Sequence, residues 1–254
     1  MLGARLGARY AELARDADLS KLVPFYACQR AYIRGKVDSL KSAETEVDTP
    51  ARAAARQSAI DHFALAYRYT WSYTPRLVVV CGLSGTGKST VAAALHARTG
   101  FAHINSDTTR KRLAGIASTA RPGPALYTSE RSAATYEAMY AAARAELAAG
   151  RGALLDATFQ RRAHRDAARD VARHCGVPIL FAECVAPEEE IHRRLAERGR
   201  ANTDASDADW TVYEQQRATY EPFAADEYAE RVIVDTTRPL DEQLTSIESK
   251  LRAS

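Results

Sequence analysis

The chain has 254 residues, 46% of them hydrophobic, and its 35 Lys and Arg against 32 Asp and Glu leave a net charge of +3. That length holds one sizeable α/β domain with an appendage and excludes a large multidomain machine, while the near balance of charge removes any global drive toward nucleic acid or anionic lipid. No apolar run approaches the ~20 residues that span a bilayer, and the N-terminus lacks the basic-then-apolar pattern of a secretory signal, so a cytoplasmic protein is expected.

Residues 1–75 repeat helical spacings. Phe25, Cys28, Tyr32, Ile33, Val37 and Leu40 recur at three- and four-residue steps, as do Ile60, Phe63, Ala64, Tyr67 and Trp71 after a polar break from Lys41 to Pro50. This pattern predicts two or three amphipathic helices, too few for a core of their own, so the segment is expected to dock on the rest of the chain or on a partner. From Arg76 onward, short apolar runs alternate with helical stretches. Leu77–Cys81, Ala102–Asn105, Ala153–Leu155, Ile179–Val185 and Val232–Val234 are candidate strands, with helices expected near 88–99, 129–149, 162–175, 188–199 and 210–220. Gly100, Gly150 and Gly176 come directly after helices, and Ser206–Asp209 makes a capping-box-like entry to the helix at Trp210. Strands alternating with helices predict an α/β fold whose parallel sheet is covered on both faces, with ligands at the carboxyl ends of the strands. The division between helical segment and α/β domain falls near Arg76. Cys28, Cys81, Cys175 and Cys184 form no CxxC pair and the six histidines form no HxxxH cluster, so neither a zinc pattern nor a disulfide framework is expected.

Directly after the first strand comes Gly82-Leu83-Ser84-Gly85-Thr86-Gly87-Lys88-Ser89-Thr90, a full GxxxxGK[ST] phosphate loop (P-loop) between strand and helix. The glycines let the backbone curl so that successive N–H groups face phosphate oxygens, and the helix after the loop adds its positive end. Gly82, Ser84, Gly85, Thr86, Gly87, Lys88, Ser89 and Thr90 are therefore the expected nucleotide-binding residues, with Lys88 on the β- and γ-phosphates and the Ser89 hydroxyl on Mg²⁺.

The second strand runs into Asn105-Ser106-Asp107. A carboxylate at the carboxyl edge next to a P-loop can take the proton of an acceptor hydroxyl, which makes Asp107 the candidate general base and Arg110 a candidate acceptor-binding residue. Capping a short helix at 109–114 is a compatible role for Asp107. The third strand ends in Asp156, resembling a Walker B carboxylate that orders Mg²⁺ through water; ordering the acceptor or Lys88 is the alternative. Thr158 and Arg165 are expected on the acceptor side, and Arg161 and Arg162 in solvent. After Pro187 a helix closes in Arg193, Arg194, Arg198 and Arg200, and the stretch near 194–209 reads as a lid whose Arg194 and Arg198 swing onto the transferring phosphate. Arg238, after the fifth strand, is placed near the adenine. Gly115–Tyr127, broken by Pro122, Gly123 and Pro124, is the loop where acceptor specificity is expected.

With VVVCGLSGTGKST, INSD, LLDATFQRRAHR and APEEEIHRRLAERG, residues 76–240 resemble P-loop kinases of the AAA_33 type, whose relatives include gluconate kinases, bacteriophage polynucleotide kinase, zeta toxins and chloramphenicol phosphotransferase. The similarity is narrower to the C-terminal kinase module of bacterial proteins that join an aminoglycoside-phosphotransferase-like domain to a P-loop kinase, and FYACQRAYIRGKVDSLK resembles the last helices of that upstream domain. The resemblance implies a three-layer fold with sheet order 2-3-1-4-5, ATP and Mg²⁺ as cofactors, and transfer to a hydroxyl. Residues 1–75 lack the HGDxHxxN loop of the upstream domain; if the chain is the whole protein, those helices are a structural remnant. Three functions are compatible with these residues. The first is a kinase of a small hydroxyl compound such as a sugar or sugar acid. A polynucleotide 5′-hydroxyl kinase would use Arg110–Arg112 and Arg161–Arg165, although no aromatic pattern for base stacking accompanies them. A nucleotide-dependent regulatory module would couple occupancy to docking of residues 1–75.

Overall fold

The computed structural model describes residues 9–15, 19–117, 128–201 and 210–253. Residues 202–209 of the predicted 194–209 lid, with the helix entry at Ser206–Asp209, and most of the 115–127 loop lie outside the described residues. The chain divides into two compact units, one of residues up to Thr74 with Ala97–Gly100, the other of Pro75–His96 with the residues from Phe101 onward.

The first unit contains a hairpin of helices α1 (Leu19–Ala43) and α2 (Thr49–Tyr69). Asp48 caps α2 by accepting the Ala51 N–H at 2.8 Å, and Pro50 sits in the first turn, where its missing N–H costs nothing. The buried seam consists of small residues, Ala31, Gly35 and Asp38 from α1 and Ala55, Ala59 and Ala66 from α2. Asp38 is satisfied there by the Ser58 hydroxyl at 2.8 Å. Phe25, Tyr32, Ile33, Val37 and Leu40, the apolar stripe that the spacing singles out, are exposed instead. A Cβ on Gly35 would stand 2.9 Å from the Phe63 ring, so the bare glycine is what lets that ring lie against α1, while the remaining buried positions of the seam are mostly alanine.

In the second unit five parallel strands, β1 (Leu77–Cys81), β2 (Ala102–Asn105), β3 (Ala153–Asp156), β4 (Ile179–Val185) and β5 (Arg231–Asp235), form one sheet in the order β2-β3-β1-β4-β5. Every residue of β1 is buried, which is why a central parallel strand reads as an unbroken apolar run rather than an alternating one. The connecting helices are α3 (Lys88–Thr99), α4 (Ser106–Leu113), α5 (Ser129–Ala148), α6 (Arg162–Cys175), α7 (Glu188–Ala201), α8 (Trp210–Ala218) and α9 (Leu240–Ala253), with a 3₁₀ turn over Ala225–Glu230. Gly176 ends α6 in the left-handed conformation at φ 63°, as the Gly-Val-Pro sequence foretells. The main core packs Met139, Tyr140, Val171 and Phe223 onto Leu77, Leu155 and Phe181 of the sheet. A smaller cluster of Ile191, Leu195 and Tyr213 from α7 and α8 closes over Leu83 of the P-loop. Among the described residues no helix is long and apolar enough to cross a membrane.

Candidate active site

The P-loop crosses from β1 to α3 at the carboxyl edge of the sheet. Gly82 has φ 139°, and a Cβ there would lie 2.5 Å from the Cys184 carbonyl oxygen, so only glycine fits between β1 and β4. Its N–H donates to the Thr158 carbonyl at 3.2 Å, and the Thr86 hydroxyl donates to the Leu83 carbonyl at 2.8 Å, holding the loop in its curl. The N–H groups of Gly85 and Gly87 meet no acceptor among the described residues. Two open backbone donors at a helix N-terminus form an anion cradle. The Ser84 N–H, expected to face phosphate as well, instead donates at 2.8 Å to Oε1 of Gln216 on α8. Gln216 is a contact that no local pattern signals, because it comes from 132 residues away.

Beside the cradle lies a cavity of about 460 Å³, lined from the P-loop side by Lys88 and Ser89 and from the β2–α4 side by His103, Asn105, Asp107 and Arg112. Ile104, Thr108 and Thr109 also line that side, Ala142 comes from α5, and Arg198 reaches in from α7. The cavity thus unites Ser84, Gly85, Gly87, Lys88, Ser89, Asp107 and Arg198 of the sequence-based candidates.

Asp107 stands in the first turn of α4, about a quarter exposed, with Oδ1 accepting from Nη1 of Arg110 at 2.6 Å. It does not cap the helix. Asn105 does, accepting the N–H groups of Asp107 and Thr108 at 2.9 and 3.0 Å, so α4 begins at Ser106 rather than at 109. Arg110 points at the candidate base rather than into open cavity.

Asp156, at the end of β3, is completely buried. Its Oδ2 accepts from Nε2 of His103 at 3.1 Å and Nδ2 of Asn105 at 2.8 Å, whereas Oδ1 is buried without a hydrogen-bond partner. Burial would raise its pKa, yet the His103 hydrogen bond, the positive charge of Lys88 and the Asn105 hydrogen bond hold the carboxyl below its ordinary value. A buried, ionised oxygen with spare acceptor capacity beside Lys88 suits ordering of a hydrated cation, with the Ser89 hydroxyl on the cavity wall as the direct ligand. The residues therefore fit magnesium.

The arginines separate into two groups. Arg165 is not on the acceptor side. It is fully buried, and all five of its donors are used: Nε and Nη2 on Glu227, Nη1 on the carbonyls of Phe159 and Glu221, and Nη2 again on that of Pro222. Its guanidinium lies 4.3 Å over the Phe223 ring. Thr158 is half-buried, its Oγ1 3.3 Å from the Tyr136 hydroxyl, its carbonyl on Gly82. Phe159 comes next in the left-handed region at φ 45°, the non-glycine strain of this turn. Arg194 does not reach the cavity with Arg198: it donates to Glu190 at 2.7 Å and to the hydroxyl and carbonyl of Thr236 at 2.9 Å each. The Thr236 hydroxyl lies in turn 2.7 Å from the Thr86 carbonyl, so the β5–α9 turn braces the P-loop from behind. Arg238 on that turn is exposed, with loose pairs to Asp235 and Glu242 at 3.8 and 3.6 Å. Lys111 is buried and Arg162 pairs with Asp226, so neither basic cluster forms an open cationic track.

The family AAA_33, described as an AAA domain, matches residues 77–223, more than half of the chain, and the chain belongs to it. The uncharacterized protein Rv2004c of Mycobacterium tuberculosis and its Mycobacterium bovis counterpart Mb2027c are each 30% identical over 210 residues, covering 81% of this chain and 41% of theirs. The chain thus spans about two fifths of the length of the curated relatives it matches. Among solved structures, a putative kinase from Chloroflexus aurantiacus is similar with a TM-score of 0.56 at 17% identity, covering 71% of this chain and 98% of its own. A sugar kinase from Janibacter has a TM-score of 0.53 at 22% identity over 70% of this chain and 95% of its own, and a gluconokinase from Sinorhizobium meliloti 0.52 at 21% over 71% and 93%. At these identities the likeness is one of fold: a P-loop kinase fold with the strand order β2-β3-β1-β4-β5.

Proposed function

We propose that this member of the AAA_33 family transfers the γ-phosphoryl group of ATP to a hydroxyl of a small polar molecule, with Asp107 as general base. One observation carries the reading: the carboxylate of Asp107 and the phosphate cradle with Lys88 line the same cavity. In the reaction the acceptor oxygen bonds to the γ-phosphorus, its proton passes to Asp107, and the bond to the β–γ bridging oxygen breaks to release ADP. Gly85, Gly87 and Lys88 bind the phosphates, and Arg198 neutralises charge on the group in transit. Arg110 steers the Asp107 carboxylate through its ion pair. Magnesium, held by Ser89 and ordered by Asp156, supplies charge neutralisation on the phosphate oxygens when bound. Arg238, exposed on the β5–α9 turn, is assigned to stacking on the adenine in this reading. A cytoplasmic location is consistent with the need for MgATP.

A sugar or sugar acid is the acceptor class that the wall favours. His103, Thr108, Thr109 and Arg112 bring polar side chains to the wall, and no Phe, Tyr or Trp among the described residues lines the cavity to stack on a nucleobase. The names of the sugar kinase and gluconokinase of like fold lean the same way. Incubation with γ-labelled ATP and a panel of sugars, sugar acids, nucleosides and 5′-hydroxyl oligonucleotides tests the reading. A labelled small-molecule product is expected, and Asp107→Asn should lower turnover about 10²–10⁴-fold while MgATP affinity changes little. Nucleotide binding without transfer to any acceptor would favour a regulatory module instead.

A further inference from the structure

One side chain of the cavity wall, Asn105, joins the cavity carboxylate Asp107 to the buried carboxylate Asp156 behind it. In the register of β2 and β3, Asn105 pairs with Asp156. Its Nδ2 donates to Asp156 Oδ2 at 2.8 Å, while its Oδ1 accepts the N–H groups of Asp107 and Thr108 at 2.9 and 3.0 Å. The amide can take only one orientation, because a flip would set its oxygen against a carboxylate and its NH₂ against two backbone donors. His103, two residues earlier on the same face of β2, adds its bond to the same Oδ2 at 3.1 Å. Both donors therefore converge on one oxygen of Asp156 and leave the other, Oδ1, buried and unclaimed.

We propose that Asn105 is a positioning residue that sets Asp107 and Asp156 relative to each other: one amide fixes the start of the helix carrying the base and the rotamer of the carboxylate that orders magnesium. This inference rests on the phosphotransferase reading of the cavity. A helix cap alone would need only the Oδ1 half of the side chain, for which aspartate serves as well as asparagine. The Nδ2 half is what the coupling requires.

Asn105→Asp separates the two halves. It keeps the acceptor for the Asp107 and Thr108 amides and turns the donor facing Asp156 into a repelling carboxylate, whereas Asn105→Ala removes both. The readouts are thermal melting, hydrogen exchange at the Asp107 and Thr108 amides, and the ratio of ATP affinities with and without Mg²⁺, all at one pH. In Asn105→Asp we expect exchange at the two amides like the wild type, a lower melting temperature from the repelled carboxylate, and a magnesium-dependent gain in ATP affinity that falls about tenfold or more. In Asn105→Ala exchange at the two amides also rises. If Asn105→Asp keeps the magnesium gain within about twofold of wild type, the coupling is overturned while the phosphotransferase reading stands. A wild-type protein that binds no ATP overturns that reading, and the coupling with it.

Discussion

At the scale of single residues, the two arginines of α7 differ by one helical turn and by what they touch. Arg194 spends its donors on Glu190 and Thr236 and so fastens α7 to the turn behind the P-loop, whereas Arg198 lines the cavity. Replacing each by alanine should part their effects. Arg198→Ala is expected to lower turnover about 10²-fold with melting unchanged, as for removal of a single donor that acts on developing charge. Arg194→Ala should lower the melting temperature by about 2–4 °C and loosen ATP binding, because the brace on Thr236 and hence on Thr86 is lost. Steady-state kinetics beside a thermal melt of each variant decides the matter; equal turnover losses in both would place the two guanidinium groups on the same task.

At the scale of elements, the segment after α8 is tied down by buried charge. Glu227 of the 3₁₀ turn, 1% exposed, accepts from Arg165 and Arg169 of α6, and Phe223 stacks beneath the guanidinium of Arg165. Tyr220 and Arg231 fasten the same segment to Glu183 of β4. Breaking a buried pair on one side strands the other charge, so Arg165→Met should cost about 3–5 kcal/mol in a denaturant titration. Burial acts to raise the Glu227 pKa, but the hydrogen bonds from Arg165, the Ala224 N–H and Arg169 hold it at about 2. A carboxyl depressed in the folded state stabilises above its unfolded value, roughly pH 4.3, and that stabilisation drains away as the pH falls toward 2. Denaturant melts across that window should show Glu227→Gln weaker than wild type at pH 7 and converging with it in acid; parallel curves would refute the assignment.

These elements also show what a single sequence holds. The P-loop, the five strands and the place of Asp107 on the cavity wall are legible because their signals are local: glycine spacing, an apolar run, a carboxylate just past a strand end. Arg165 is not, since an arginine four residues after Arg161 looks the same whether its helix face meets solvent or the Glu227 that lies 62 residues on. Gln216 carries no mark of its bond to the P-loop for the same reason. Asn105 left a usable trace: asparagine caps as well as aspartate does, and it stands at the last position of the strand. The helical hairpin misleads differently, because periodicity identifies an apolar face but not which face a partner helix selects.

At the scale of the whole molecule, the two units have different means of holding themselves together. The α/β unit buries large side chains on a parallel sheet, with Leu77, Leu154, Leu155, Leu180 and Phe181 all almost without exposure. The hairpin closes mostly on alanines, with Gly35 and the hydrogen-bonded Asp38, which remove far less apolar area from water per residue, at ~25 cal/mol per Å². Local stability should track that difference rather than helix length, although α1 at 25 residues is the longest helix described. Native-state hydrogen exchange is expected to find amides of β1, β3 and β4 protected close to the global unfolding free energy. Those of α1 and α2 should open at a free energy lower by about 2 kcal/mol or more. Filling the seam offers the converse check. Gly35→Ala places a methyl group where the Phe63 ring now lies, at 2.9 Å, so it should lower protection in the hairpin alone and leave the sheet amides as they were. Protection that fell equally in both units would mean that they unfold as one cooperative body, and the seam would then limit the stability of the phosphate cradle itself.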